Sequence, residues 1–110
     1  MMPSFGIEED TLQKIRTVLA HHPQVQKATL YGSRAKGTHK AGSDIDLTLQ
    51  GGDDLTLQVL YKIMQELDDL LLPYTIDLSI CSMINDPALT EHIQRVGMTF
   101  YERAGETPSH

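Results

Sequence analysis

Apolar residues recur along this chain with two periods, three to four residues in some stretches and two in others, and the changes between them mark the elements. From Glu8 to His21, Leu12, Ile15, Val18 and Leu19 fall at helical spacing behind acidic residues in the first turn, and Pro23 stops the segment. Val25 to Tyr31 then reads as a strand running into Gly32. Asp44 to Leu49 alternates without error, which predicts a strand with one buried face. Gly51-Gly52-Asp53-Asp54 predicts a turn in which either aspartate caps the next helix.

That helix is the longest predicted element. Leu57, Leu60, Ile63, Met64, Leu67, Leu70 and Leu71 occupy an arc of roughly 140° at 100° per residue, and Pro73 ends it. Glu66, Asp68 and Asp69 read as its solvated face. Tyr74 to Ile80 alternates again as a third strand. Asp86-Pro87 is an N-cap followed by a first-turn proline, opening a helix over Leu89, Ile93 and Val96 that Gly97 closes. Met98 to Glu102 forms a short last strand, and the polar tail from Ala104 to His110 is expected to fray.

The order is helix, strand, motif loop, strand, helix, strand, helix, short strand, with no repeat or linker. It predicts one α+β unit, a two-layer arrangement of a small mixed sheet with helices packed on it, over residues 1–103. The 110 residues are one domain's worth, with 40% hydrophobic and 22% charged residues, an ordinary globular mixture.

Charge narrows the function. Nine Lys and Arg against fifteen Asp and Glu leave a net of −6, which disfavours broad nucleic-acid binding and anionic membranes because both need a positive footprint. Cys81, the single cysteine, excludes an intramolecular disulfide framework and cysteine-based zinc sites. The N-terminal residues carry no secretory pattern, and no apolar run approaches bilayer length, so a soluble cytoplasmic protein is expected.

One segment concentrates chemistry. Gly32-Ser33 is followed, after ten residues, by Asp44-Ile45-Asp46-Leu47. Gly32 permits a tight turn and close approach of a ligand. Backbone N–H groups after it, with the Ser33 hydroxyl, suit phosphate oxygens. Arg34, Lys36 and Lys40 place three of the nine basic residues in a loop with no acid between Gly32 and Ser43. Asp44 and Asp46, two apart on a strand, share a face with Cα atoms roughly 6.5 Å apart. Asp77 occupies the polar face of the other alternating strand, and if the two strands are neighbours the three carboxylates can converge. Such a cluster repels itself and implies hard divalent cations, Mg²⁺ or Mn²⁺. Two ions would clamp the attacking and leaving oxygens of a phosphoryl displacement.

Either half of the motif alone is common. The two together arise by chance in a chain of this length on the order of once in a thousand. The pattern resembles the minimal nucleotidyltransferases of the DNA polymerase β-like superfamily, and looks like the antitoxin member of HEPN–MNT toxin–antitoxin pairs. The resemblance runs through Thr75-Ile76-Asp77-Leu78 to Gly97-Met98-Thr99-Phe100-Tyr101-Glu102, with no departure at the motif positions. It implies that ATP and two Mg²⁺ ions are used to add AMP to a tyrosine hydroxyl of a HEPN ribonuclease toxin, silencing it within a hetero-oligomer. By that resemblance Gly32 and Ser33 hold the triphosphate, Asp44 and Asp46 bind the metals, and Asp77 completes the site and helps activate the hydroxyl. Arg34 and Lys36 as phosphate contacts follow from charge and position alone. Neutralisation by occlusion without catalysis, or a stand-alone enzyme acting on a small molecule or RNA end, are the competing readings.

Other residues carry less. His21 and His22 read as a helix-end charge pattern, His39 as a solvated loop histidine, Cys81 as packing, and Met64 and Met98 as core or interface filler. Tyr31, just before Gly32, is placed to stack on a base but reads as structural. A chain this short has little room for acceptor recognition, so the acceptor is expected to be another protein, with the long helix's apolar arc available as a contact surface.

Overall fold

The computed structural model describes residues 5–38 and 44–103. Its elements are α1 (Glu9–Ala20), β1 (Val25–Tyr31), α2 (Ser33–Lys36), β2 (Ile45–Gly51), α3 (Leu57–Asp69), β3 (Ile76–Ile80), a 3₁₀ turn at Cys81–Met83, α4 (Pro87–Val96) and β4 (Met98–Glu102). The strands form one mixed sheet in the order β3-β2-β1-β4, antiparallel except for the parallel β2–β3 pair. The small mixed sheet with packed helices is the predicted architecture.

Alternation divides the sheet into two chemically distinct faces. Leu30 of β1, Leu47 of β2 and Leu78 of β3 lie in register and point to one side. There they join Ile45, Leu49 and Ile80, with Leu12, Ile15 and Leu19 of α1 and Leu60, Ile63 and Leu67 of α3, in one core. Burying a large aliphatic side chain contributes roughly 1.5–3 kcal/mol, so this face dominates the stability of the fold. The other face carries Tyr31, Asp46 and Asp77 in the neighbouring register row, and α4 packs over part of it against β1.

Several local expectations need correction. Neither Asp53 nor Asp54 caps α3: both sit in the preceding turn, and Thr56 is the N-cap, its hydroxyl accepting the Val59 N–H at 3.4 Å. The apolar arc of α3 is wider than the core it serves, so Leu57, Met64 and Leu71 stay exposed. The helix ends at Asp69, before Pro73, because Leu71 adopts a left-handed conformation with φ 55°. His22 is not a solvated helix-end charge; it is buried, with Nε2 2.9 Å from the carboxylate of Glu66, which joins the end of α1 to α3. Gly97 closes α4 with an extended backbone at φ −63° and ψ 143°. Glycine is needed there for space, since a Cβ would lie 2.3 Å from the Ile93 carbonyl oxygen and 2.7 Å from the Thr29 methyl. The tail from Ala104 lies outside the described residues, as do His39 and Lys40.

The cap assignment has a direct test. Thr56→Ala should lower the stability of the protein by about 1 kcal/mol, the usual worth of an N-cap oxygen. Asp53→Ala and Asp54→Ala should each change the unfolding midpoint by less than half as much in the same denaturant titration.

Candidate active site

Three strands bring the site together. The antiparallel register pairs Tyr31 of β1 with Asp46 of β2, and the parallel register pairs Asp46 with Asp77 of β3. Paired residues in a sheet project to the same face, so phenol and two carboxylates form a row across it. The conditional expectation that β2 and β3 are neighbours is met. Asp44 stands one residue ahead of β2 and is exposed, its charge close enough to act on Asp46. Among the described residues, no three acidic, histidine or cysteine side chains are gathered into a ready metal cage.

Gly32 sits against the centre of the row. Its φ of 80° and ψ of −158° lie where L side chains are strained. A Cβ at this position would also come within 2.3 Å of Asp46 Oδ2. Backbone conformation and close approach therefore both require glycine. From here the chain turns at once into α2, whose last residue Lys36 is exposed and whose end is closed by Gly37 in a left-handed conformation.

Arg34 behaves differently from the expected surface cation. It is 3% exposed, one guanidinium nitrogen donates to the Phe5 carbonyl oxygen at 2.9 Å, and the group lies over the Tyr74 ring. This arginine ties α2 to the chain entering α1 and to the residues before β3. Lys36 remains on the surface as a cation.

His92 is a site residue that the sequence reading overlooked. It lies on α4 beside buried Ile93, and its Nε2 accepts the Gly32 N–H at 3.2 Å. Its ring meets Tyr31 edge to face with centroids 6.2 Å apart. The available signal was faint: a polar residue in the half-buried stripe Leu89, His92 and Val96. The contact means that α4, a remote element in sequence, holds the first turn of the motif loop.

The electrostatics follow from this crowding. Burial raises the Asp46 carboxyl above its usual range, the negative charges of Asp77 and Asp44 raise it further, and His92 pulls the other way. Burial likewise raises the Tyr31 phenol; the Ser79 hydroxyl opposes that rise, and the charges of Asp46 and Asp77 add to it. The row is an oxygen-rich strip on which the negative charges of Asp77 and Asp44 bear on Asp46. That observation fits the donor chemistry of hard divalent cations, which oxygen ligands of this type hold.

Comparison with known proteins defines the class. The chain belongs to the polymerase beta nucleotidyltransferase family, which it matches over residues 13–106. No curated protein matches it at a comparable level. Among solved structures, a toxin–antitoxin complex with AMP-PNP is similar at a TM-score of 0.67 and 24% identity, over 84% of this chain and 74% of the other. The MntA–HepT toxin–antitoxin is similar at a TM-score of 0.64 and 21% identity, over 87% and 74%. A complex of tri-AMPylated Shewanella oneidensis HEPN toxin with MNT antitoxin gives 0.63 and 21%, over 86% and 72%. At these identities the likeness is one of fold, the minimal nucleotidyltransferase architecture.

The raised Asp46 carboxyl has a stability consequence with a definite sign. The folded chain holds that proton to higher pH than the unfolded chain does. Below the ordinary carboxylate range both states are protonated and nothing is lost; above the raised value the folded state carries the full cost of the buried charge. Asp46→Asn should therefore melt above the parent at pH 7. The gain should shrink as pH falls through the raised value and be gone below about 4, the ordinary carboxylate range. A lower midpoint for the variant at pH 7 would contradict this electrostatic picture.

Proposed function

We propose that the protein is a Mg²⁺-dependent nucleotidyltransferase antitoxin that moves AMP from ATP to a tyrosine hydroxyl of a HEPN-type partner toxin. The observation that carries the reading is the register of Asp46 with Asp77 directly beside the Gly32 turn. Family membership supports nucleotidyl transfer as the reaction class. The fold shared with antitoxins in toxin–antitoxin complexes, one holding an AMPylated toxin, supports the partner and the acceptor.

In this reading Gly32 and Ser33 accept the triphosphate where the backbone turns sharply into α2. Lys36 lies exposed at the end of that helix as a phosphate cation, while Arg34 acts from inside the fold by fixing the turn. Asp44, Asp46 and Asp77 would hold two Mg²⁺ ions, with Mn²⁺ able to replace them. Bound there, the ions supply charge neutralisation for the phosphates and favour deprotonation of the acceptor. Asp77, at the exposed end of the row, helps take up the hydroxyl proton. The acceptor oxygen attacks the α-phosphorus in line, the bond to the bridging oxygen breaks, and pyrophosphate leaves.

The test uses the purified protein, ATP labelled at the α-phosphate, Mg²⁺ and a HEPN-type toxin as the partner. Label should pass to the partner, and Asp46→Asn and Asp77→Asn should each reduce the rate at least a hundredfold. Arg34→Lys should lower the unfolding midpoint and, assayed at a temperature where it is folded, keep most of the transfer rate. Transfer that persists in an Asp44→Asn plus Asp46→Asn double variant would overturn the assignment. A double variant that transfers nothing and still neutralises the partner would favour occlusion instead.

A further inference from the structure

The sheet ends at β3, and that edge is continuous with the candidate site. Among the described residues β3 pairs with β2 alone. The Thr75 carbonyl accepts the Ile45 N–H at 2.8 Å, so Thr75, Asp77 and Ser79 turn their backbone groups toward β2. By strand alternation Ile76, Leu78 and Ile80 turn theirs to the free edge. An unpaired edge of this kind is a template for another strand.

Below the edge, on the side of α3, runs a groove of about 630 Å³ lined by Met64, Leu67, Leu72, Tyr74, Ile76 and Leu78 among others. Met64, 40% accessible, exposes apolar surface at the groove, and Gln65, Asp68 and Thr75 add polar groups to its lining. Among the described residues Asp68 is the only charged one in the lining, and the edge above carries Asp77. The surface therefore combines unpaired backbone, an apolar trough and negative charge.

We infer that β3 and this groove receive an extended, basic segment of the acceptor protein as a fifth, antiparallel strand, with the acceptor side chain opposite Asp77. The geometry makes the match specific. Antiparallel addition makes hydrogen-bonded pairs at Ile76, Leu78 and Ile80 and leaves Asp77 in the non-hydrogen-bonded position, where the opposing Cα lies about 4.5 Å away. The side chain at that place rises from the same face as Asp46 and Asp77. Its two neighbours in the added strand point the other way, into the trough. An acceptor hydroxyl between two apolar residues, flanked by Lys or Arg that alternation returns to the acidic face of Asp46 and Asp77, satisfies every part of the surface. This inference rests on the nucleotidyl-transfer reading for the identity of the central residue, whereas strand addition itself does not.

The test separates the two. The probe is an acetylated, amidated five-residue peptide with a central tyrosine, leucines on both sides and a lysine at each end. Amide hydrogen exchange is followed at Ile76, Leu78 and Ile80, with and without ATP and Mg²⁺. Saturating peptide should slow exchange at these three amides at least tenfold. Met64→Asp should weaken peptide binding at least tenfold, while Tyr61→Asp, exposed on the same helix and outside the groove lining, should leave it unchanged. A peptide N-methylated at the two leucines, which removes the edge donors, should fail to bind. Protection without AMP transfer would uphold the docking mode and count against the reaction. Transfer to the peptide without protection would uphold the reaction and overturn the docking mode. Absence of peptide binding, equal binding by Met64→Asp, or protection that depends only on protein concentration, as in pairing of two copies, would each overturn it as well.

Discussion

The register of β2 between β1 and β3 is the constraint on which the molecule depends. Because side chains in a strand alternate, one register decision assigns Ile45, Leu47 and Leu49 to the core and Asp46 to the opposite face. A slip of one residue would expose three fully buried aliphatic side chains and drive a carboxylate into the space between α1 and α3. The cost of that exchange, several kcal/mol for the aliphatic residues alone, also protects the site. The core face specifies the register, and the register aligns Tyr31, Asp46 and Asp77. Stability and candidate chemistry are two consequences of the same pairing.

On the polar face the packing works against ease of folding. Gly32 presses against Asp46, His92 holds the Gly32 N–H, and two further carboxylates bear on Asp46. Such a strip concentrates negative potential at one place on a sheet that is otherwise held together by aliphatic contacts. Raised carboxyl values of this origin are common where a protein assembles groups for binding or catalysis. The surroundings of Arg34 add a mechanical element. By joining α2 to Phe5 and Tyr74, it links the motif turn to the chain entering α1 and to the approach to β3, so a basic residue in the loop serves its geometry.

Much of this was legible from residue order. Strict alternation located β2 and β3, and the pair Asp86-Pro87 located the start of α4, because each signal is local and has one physical meaning. The Gly-Ser and Asp-x-Asp spacing was legible for the same reason, and the fold brings Gly32 against Asp46. What escaped was set by tertiary context. Two aspartates and a threonine all qualify as caps before α3, and only the path of the turn selects Thr56. An arginine in a basic loop looks solvated until Phe5 and Tyr74 are seen to enclose it. His92, about sixty residues from Gly32 in sequence, gave no local sign of its partner. The α3 arc overstated the core because apolar periodicity does not reveal how much of a helix face a sheet can cover.

The central claim is that Asp46 and Asp77 turn this face into a cation-dependent triphosphate site. Calorimetric titration of ATP into the protein, with and without Mg²⁺, addresses it most directly. The account predicts saturable binding that requires Mg²⁺ and is lost in Asp46→Asn, although that variant is folded and no less stable than the parent. Binding of equal strength without a divalent cation, or undiminished in Asp46→Asn, would contradict it.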